Sequence, residues 1–281
     1  MNRILKAGLI GLTVSLSVST AFAAGTIKTA IDGTFAPHAM PTMDGKLEGF
    51  NIDMTNLIGE RLGKTVDMTG AQFSGLIPAL QAGTYDFLAA PITVTKERSA
   101  NMLFTEGFMD TNFGFVVGAK AGDFKGLADF KGKVITVNKG SAYESFLTEK
   151  KAEFGWTVES YGTQADAIAA VLSGRADANL SGATSAAWAA KKSPALKLSY
   201  EVPTGLVWGL AFRKDDVAGR DLVDKAIECL KIDGSMAKLS EKWFGVTPTA
   251  GTTIVTPTKG YGVPGFEGYK DDDHKPTCEL K

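Results

Sequence analysis

The chain has 281 residues, of which 44% are hydrophobic and 22% charged, which is typical of a globular protein of about two domains and excludes a disordered or fibrous chain. The net charge of −1 gives no bulk electrostatic attraction to nucleic acid or to an anionic membrane. Two Cys and two His argue against a zinc or iron–sulfur site, so no metal and no nucleic-acid partner is expected.

The first 23 residues have the pattern of a secretory signal peptide. Arg3 and Lys6 form a short basic region before an apolar segment over residues 7–20, and Ala21-Phe-Ala23 is a cleavage site of the A-x-A type. An uncleaved membrane anchor is the alternative, but this segment is short and rich in Gly and Ser. Cleavage after Ala23 places the mature chain outside the cytoplasm, in oxidising surroundings.

Residues 26–117 alternate between short strands and helices. Strands are predicted over residues 26–31, 65–68, 86–90 and 112–117. Helices are predicted over residues 52–62 and from residue 76 until Gly83 ends the second one. The segment that follows Thr93-Val-Thr95 is predicted only as polar. This alternation predicts an α/β architecture with a mostly parallel sheet.

The same pattern restarts after a connection rich in Lys and Gly over residues 118–132. Strands are predicted over residues 134–137, 157–160, 176–180 and 207–213, and helices after Gly140-Ser141 and over residues 164–172, 184–191, 222–232 and 236–243. The last strand and the helices after it fit either unit. Residues 246–281 lack apolar periodicity and are predicted to form an extended tail.

The two cysteines predict a disulfide. Cys229 lies in an apolar-periodic helix and Cys278 lies near the end of the chain. An even number of Cys in an exported protein favours pairing, although two free thiols remain the alternative. Closing a loop of about 50 residues contributes roughly 4 kcal/mol in the chain-entropy model, and it would tether the tail to the body.

Three short motifs match known patterns without the context that those patterns need. Residues 260–265 match G-x-G-x-x-G, but they lie in the tail and contain Pro264. Residues 235–238 match S-x-x-K on a helix, without partner motifs. His274 follows three consecutive Asp residues, which is more typical of a solvated charged tail than of a metal site. No cofactor and no enzymatic reaction is predicted from them.

Several longer motifs together resemble one family. They are Asp32-Gly-Thr-Phe-Ala-Pro37, Gly45-Lys-Leu-Glu-Gly-Phe-Asn-Ile-Asp53, Gly75-Leu-Ile-Pro-Ala-Leu-Gln-Ala-Gly83 with Tyr85-Asp86, Thr93-Val-Thr-Lys-Glu-Arg98 and Lys242-Trp-Phe-Gly245. These stretches are similar to the periplasmic solute-binding proteins of polar amino-acid ABC transporters, over residues 26–245. The resemblance implies a type II-like two-lobed α/β periplasmic binding protein fold with two hinge strands. Lobe 1 would comprise residues 26–117 and 206–245, and lobe 2 residues 118–205, followed by a disulfide-tethered tail over residues 246–281.

The resemblance also implies a ligand site between the lobes. Arg98 matches the family's carboxylate-binding arginine, and its planar guanidinium can hold a carboxylate by two parallel bonds. Ser141 and Ala142 begin a helix whose backbone N–H groups would form a second anion cradle. Phe35 and Phe73 match the positions that enclose the aliphatic part of the ligand. The full predicted set is Phe35, Phe73, Ala90, Thr93, Arg98, Ser141, Ala142, Tyr143, Ser181 and Gly182.

Two positions depart from the family pattern. Gly182 stands where the family has an Asp that holds the ligand's α-ammonium group, and Pro91 replaces a residue that often contacts the ligand. Burying an ammonium group without an anionic partner is costly. We therefore expect ordinary α-amino acids to bind weakly, and a carboxylate with a blocked, displaced or absent amine to bind best. An acid from elsewhere in the sequence, such as Asp32 or Asp110, is the alternative partner.

The predicted function is capture of a small carboxylate-bearing solute in the periplasm for a membrane ABC permease, by a monomer that is not an enzyme. One alternative is a ligand-sensing module of a membrane receptor, which would use the same site. Another is a periplasmic enzyme resembling cyclohexadienyl dehydratase, which needs an acid or base in the cleft. His38 is the one candidate for that group, and a position on a loop surface is expected for it.

Overall fold

The computed structural model describes residues 25–280, and the signal-peptide prediction lies outside this range. The strands are β1 (Thr26–Ile31), β2 (Met40–Pro41), β3 (Leu47–Glu48), β4 (Thr65–Gly70), β5 (Phe87–Thr93), β6 (Met102–Phe104), β7 (Met109–Gly118), β8 (Val134–Asn138), β9 (Thr157–Tyr161), β10 (Ala178–Gly182) and β11 (Leu196–Arg213). The helices are α1 (Phe50–Arg61), α2 (Phe73–Gln81), α3 (Lys96–Asn101), α4 (Ala142–Phe154), α5 (Gln164–Leu172), α6 (Ala183–Lys192), α7 (Val217–Ile232) and α8 (Ser235–Phe244), with a 3₁₀ turn at Leu127–Phe130.

One mixed sheet runs through the whole molecule in the order β4-β1-β5-β11-β7-β10-β8-β9, with β6 paired to β11. At one end β1 is parallel to β4 and β5, and at the other β8 is parallel to β9 and β10. The long strands β7 and β11 lie antiparallel between these groups. The α/β prediction is confirmed, but the sheet is mixed because two connecting strands join its parallel halves.

Strand β11 is much longer than predicted. Its first half, residues 196–206, is half-exposed and carries polar side chains, whereas residues 208–212 are fully buried. Only the buried half was predicted as a strand, because Pro203 and Gly205 are residues that usually interrupt strands. The register against β7 shifts between Val202 and Leu206, around these two residues, while the strand continues.

Helices α7 and α8 pack against α1, so these last helices lie with the first unit. The polar segment after residue 95 forms α3, whose first turn is capped by the Thr95 hydroxyl accepting a bond from the Arg98 N–H at 3.2 Å. A six-residue helix is too short to show the apolar periodicity on which the prediction depended. None of the helices in the described range is long and apolar enough to cross a membrane.

The residues after α8 lie along α7 and are joined to it covalently. The predicted Cys229–Cys278 disulfide is confirmed. Arg220 and Asp224, both buried on α7, bond the tail backbone at the Gly268 carbonyl (2.9 Å) and the Gly262 N–H (2.6 Å). The backbone of Gly262 therefore lies against the side chains of Arg220 and Asp224. This close approach explains the glycine at that position without a bound nucleotide.

Candidate functional site

A narrow cavity lies where β1, β5 and β8 end and where α2, α3 and α4 begin. This edge is the usual ligand position in α/β sheets, because loops and helix N-termini converge there. The cavity is lined by Asp32, Phe35, Phe73, Ala90, Pro91, Thr93, Arg98, Asn138, Ser141, Ala142 and Tyr143.

Eight of the ten residues predicted from the sequence therefore surround one cavity, and two do not. Ser181 and Gly182 are buried in β10, behind the lining residues. Asp32, Pro91 and Asn138 line the cavity but were not in the predicted set. That these residues contact a ligand stays a prediction.

Arg98 places a positive charge on the cavity without a carboxylate partner. Its Nη1 donates to the Thr93 carbonyl and its Nη2 to the Gly140 carbonyl, each at 3.0 Å. Burial lowers the pKa of Arg98, although the nearby Tyr143 and Glu97 oppose this effect. Within residues 25–280 no carboxylate forms an ion pair with this guanidinium, so the positive charge is available to an anionic ligand.

Helix α4 begins beside Arg98. Ser141 is its N-cap, and the hydroxyl accepts a bond from the Glu144 N–H at 3.2 Å. Ala142 and Tyr143 follow as the first two helical residues, whose N–H groups have no partner within a helix. Ala142 and Tyr143 line the same cavity as Arg98, so the positive end of the helix dipole lies on the same side as the guanidinium. That these groups bind an anion stays a prediction.

Asp32 provides the opposite charge at the end of β1. Its buried carboxylate accepts bonds from the Thr34 N–H (2.9 Å) and hydroxyl (2.8 Å), and from Asn138 Nδ2 (2.6 Å) and the Gln164 N–H (3.2 Å). The Oδ1 atom of Asn138 is buried without a partner. Asp110, the other acid considered, lies away from this cavity and accepts from the Thr253 hydroxyl. Asp32 is thus the acidic residue that lines the cavity.

His38 is buried, contrary to the expected loop-surface position. It has no exposed surface, and its two ring nitrogens lie 2.9 Å from Asn51 Oδ1 and 2.7 Å from Thr184 Oγ1. Burial lowers the pKa of His38 to about 4. It is not a lining residue of the cavity, so it is not positioned as an acid or base toward a ligand there.

The sequence matches the bacterial extracellular solute-binding proteins, family 3, over residues 27–246. The chain belongs to this family. PatH of Vibrio harveyi, named as a candidate binding protein of an amino-acid ABC transporter, is 32% identical over 240 residues, covering 84% of this chain and 95% of PatH. The L-arginine-binding protein of Pseudomonas aeruginosa is 29% identical over 254 residues, covering 87% of this chain and 97% of that protein.

Among solved structures, an ancestral arginine-binding protein bound to arginine has a TM-score of 0.75 and 33% sequence identity, covering 79% of this chain and 99% of that chain. The two-lobed α/β fold and the solute-binding function predicted from the sequence are therefore confirmed. The lobe boundaries at residues 117/118 and 205/206 stay a prediction.

The departure of this family 3 protein at Gly182 has a structural counterpart. A Cβ atom at Gly182 would lie 2.5 Å and 2.7 Å from Trp208 Cζ2 and Cη2, and 3.0 Å from the Tyr143 hydroxyl. The fully buried indole of Trp208 thus occupies the space into which a longer side chain would extend. Burial raises the pKa of Tyr143, so this hydroxyl stays protonated and the wall of the site is uncharged.

Proposed function

We propose that this protein binds a small solute that carries both a carboxylate and a cationic group, between its two lobes, for delivery to a membrane ABC permease. The main observation in support of this proposal is that groups of opposite charge line one cavity. Arg98 and the N-terminus of α4 lie on one side of it, and Asp32 lies on another. A free carboxylate taken out of water needs donors of this kind. A cationic group needs a buried acid, which Asp32 supplies.

The comparisons support an amino acid or an amino-acid derivative as the ligand. PatH is named for amino-acid transport, and the Pseudomonas protein and the ancestral protein are named for arginine. Arginine-like ligands carry a carboxylate and a second cationic group at the end of a flexible chain. In this protein, Asp32 would hold the cationic group, because the wall at Gly182 offers no charge.

The same arrangement supports a binding protein over an enzyme. Reaction chemistry at the cavity would require a group that gains or loses a proton at the ligand. His38 lies behind the lining residues with both nitrogens engaged, and the carboxylate of Asp32 is held by bonds from Thr34, Asn138 and Gln164. We propose that the protein acts as a periplasmic monomer, with the lobe boundaries given above. In that arrangement Arg98 also contributes to closure, since its bond to the Gly140 carbonyl joins the two lobes.

Isothermal calorimetry with L-arginine and L-citrulline tests this proposal, because citrulline replaces the guanidinium with a neutral group of similar shape. We expect arginine to bind more tightly, and Asp32→Asn to remove most of that preference. Arg98→Ala should lower the affinity for both by about 2 kcal/mol or more, since it leaves the carboxylate without its charged partner.

Arg175→Ala is the matched control, because Arg175 is exposed and its side chain, within the described range, bonds only the Ser173 hydroxyl (3.1 Å). Unchanged affinity in a folded Arg98→Ala variant would remove Arg98 from the site. Equal affinities for arginine and citrulline in the wild-type protein would remove Asp32 as the cation partner. Conversion of prephenate or arogenate to an aromatic product would instead establish an enzyme.

A further inference from the structure

His38 connects the two lobes at a point separate from the cavity. It follows β1 in the loop of lobe 1, and its Nε2 lies 2.7 Å from the hydroxyl of Thr184, in the first turn of α6 in lobe 2. Apart from the backbone pairing of β7 with β10 and β11 and the bonds of Thr204 to Thr111 and Asn112 on the connecting strands, the other hydrogen bonds between the lobes involve cavity residues or their neighbours. Examples are Asp32 with Asn138 and Arg98 with Gly140. The His38–Thr184 bond thus joins the lobes at a point outside both the cavity and the connecting strands.

The surrounding residues hold the imidazole in one position. Its ring centroid lies 4.8 Å from that of Trp208, 5.5 Å from Phe244, 5.6 Å from Phe35 and 5.9 Å from Phe50. Phe35 also lines the cavity. One aromatic ring therefore lies in contact with both the ligand cavity and the residue that joins the lobes.

The hydrogen-bond network assigns the tautomer of His38. Asn51 donates through Nδ2 to the Ala89 carbonyl at 2.7 Å, so its Oδ1 faces His38 as an acceptor. The Nδ1 atom of His38 must therefore carry the proton, and Nε2 accepts from the Thr184 hydroxyl. Asn51, in lobe 1, therefore determines that His38 accepts, and Thr184 donates, in the hydrogen bond between the lobes.

We propose that His38 and Thr184 form a latch that stabilises the closed arrangement of the lobes over the ligand, which makes His38 a positioning residue for ligand binding. This inference rests on the proposed function. The observed affinity of such a protein is its intrinsic affinity multiplied by the fraction of molecules in the binding-competent form. A bond made only between closed lobes raises that fraction.

The latch also makes binding sensitive to acid. The partners of His38 on α1, α6, α8 and β11 are uncharged, and the charged residues Asp53 of α1 and Lys242 of α8 pair with each other at 2.7 Å. Lys191 of α6 and Glu201 of β11 line an outer groove beside Thr184. No carboxylate in the described range therefore pairs with a protonated His38.

The direction of the pH effect follows from burial. The pKa of His38 is about 4 when buried, against an ordinary value of 6.5. Opening the lobes removes Thr184 and exposes the Nε2 edge of the ring to water, while the four aromatic rings of lobe 1 stay in place. This hydration raises the pKa of His38 toward the ordinary value, so protons bind the open form more tightly. Affinity should be constant above pH 6.5 and should weaken as the pH falls toward 4, by at most about tenfold per pH unit.

Substitutions at Thr184 test the latch with little risk to the fold. Thr184→Val keeps the side-chain shape and removes the hydroxyl, and Thr184→Ser restores the hydroxyl. We expect Thr184→Val to weaken affinity by about 3- to 10-fold, the net effect of one hydrogen bond, and Thr184→Ser to recover most of the loss. Thr148→Val, at an exposed position on α4, is the matched control and should leave affinity unchanged.

The second arm combines Thr184→Val with His38→Phe in a double-mutant cycle, with calorimetry between pH 7 and pH 4.5. The probe is L-arginine or its α-deaminated analogue, whichever binds the wild-type protein. If the two residues act through their mutual bond, the double variant loses less than the sum of the single losses. His38→Phe should also flatten the acid dependence. If that variant fails to fold, the Thr184 variants and the wild-type pH profile decide the question.

Unchanged affinity in folded Thr184→Val, additive losses in the cycle, or a pH profile that His38→Phe leaves unaltered would each overturn the latch. Failure of the wild-type protein to bind either probe would instead count against the proposed function, so the two failures are distinguishable.

Discussion

Gly182→Ala should destabilise the protein, because the added methyl group meets an immobile ring. The backbone at Gly182 has φ −63° and ψ 140°, which any residue adopts, so alanine brings no backbone strain. Its Cβ would lie 2.5 Å from Trp208 Cζ2, about 1 Å inside the usual carbon–carbon contact of ~3.5–4.0 Å. His38, with its ring centroid 4.8 Å from that of Trp208, blocks retreat of the indole.

Overpacking of this kind costs about 1–3 kcal/mol. In a chain of this size each kcal/mol corresponds to a shift in Tm of about 2–4 °C, which calorimetry or circular dichroism detects. Gly75→Ala is the control with the opposite sign. Gly75 lies within α2 and its Cβ would meet nothing within 4 Å, so alanine should stabilise by about 0.5–1 kcal/mol.

A double variant, Gly182→Ala with Trp208→Phe, should lose less stability than the sum of its single variants, since the smaller ring leaves room for the methyl group. The reasoning is refuted if Gly182→Ala raises Tm as Gly75→Ala does. Such a result would mean that Trp208 moves freely and that the uncharged wall behind Tyr143 can be rebuilt by a single side chain.

Three further predictions concern the tail and the ligand. Lys231→Met should lower the free energy of unfolding in urea by about 3–5 kcal/mol. The buried Lys231 ammonium lies 3.1 Å from the Glu106 carboxylate, so its loss leaves Glu106 as an unpaired buried charge. Adding Glu106→Gln to the same chain should recover part of the loss. Replacing Cys229 and Cys278 together by Ser should lower the free energy of unfolding by about 4 kcal/mol without changing ligand affinity, since neither residue lines the cavity. The α-deaminated analogue of arginine should bind at least as tightly as L-arginine in calorimetry, and submicromolar binding of a plain α-amino acid with inert analogues would contradict the role given to Gly182.

The carboxylate side of the site was predictable because its chemistry lies in short motifs. Arg98 and Thr93 share one six-residue stretch, and Ser141 precedes the helix that it caps. Local sequence fixes such residues relative to one another. Asp32 also lies in a recognised motif, but its role depends on Asn138, a contact between residues 106 positions apart.

The positions that the sequence could not predict depend on tertiary contacts. His38 looks like a polar residue in a loop, yet four aromatic rings from separate elements enclose it. The short apolar flanks Ala36-Pro37 and Ala39-Met40 are a weak local sign of burial. In the same way, Arg220, Asp224 and Glu228 look like an exposed helix face on α7. They are buried because the tail bonds all three and because Arg220 and Asp224 also bond the backbone of residues 104 and 106.

The strand order also has a consequence for the sequence of folding events. Among residues 25–280, strand β5 pairs only with β1 and with β11, and the residues of β11 follow it by more than 100 positions. Strands β8, β9 and β10 instead lie within one continuous stretch. Contacts between distant residues form slowly, because loop-closure entropy must be overcome first. During synthesis, which begins at the N-terminus, we expect the unit of strands β8, β9 and β10 to complete its pairing first. The N-terminal unit, although made earlier, would keep an unpaired edge at β5 until β11 arrives, and that edge is the place where a nascent chain is most exposed to aggregation.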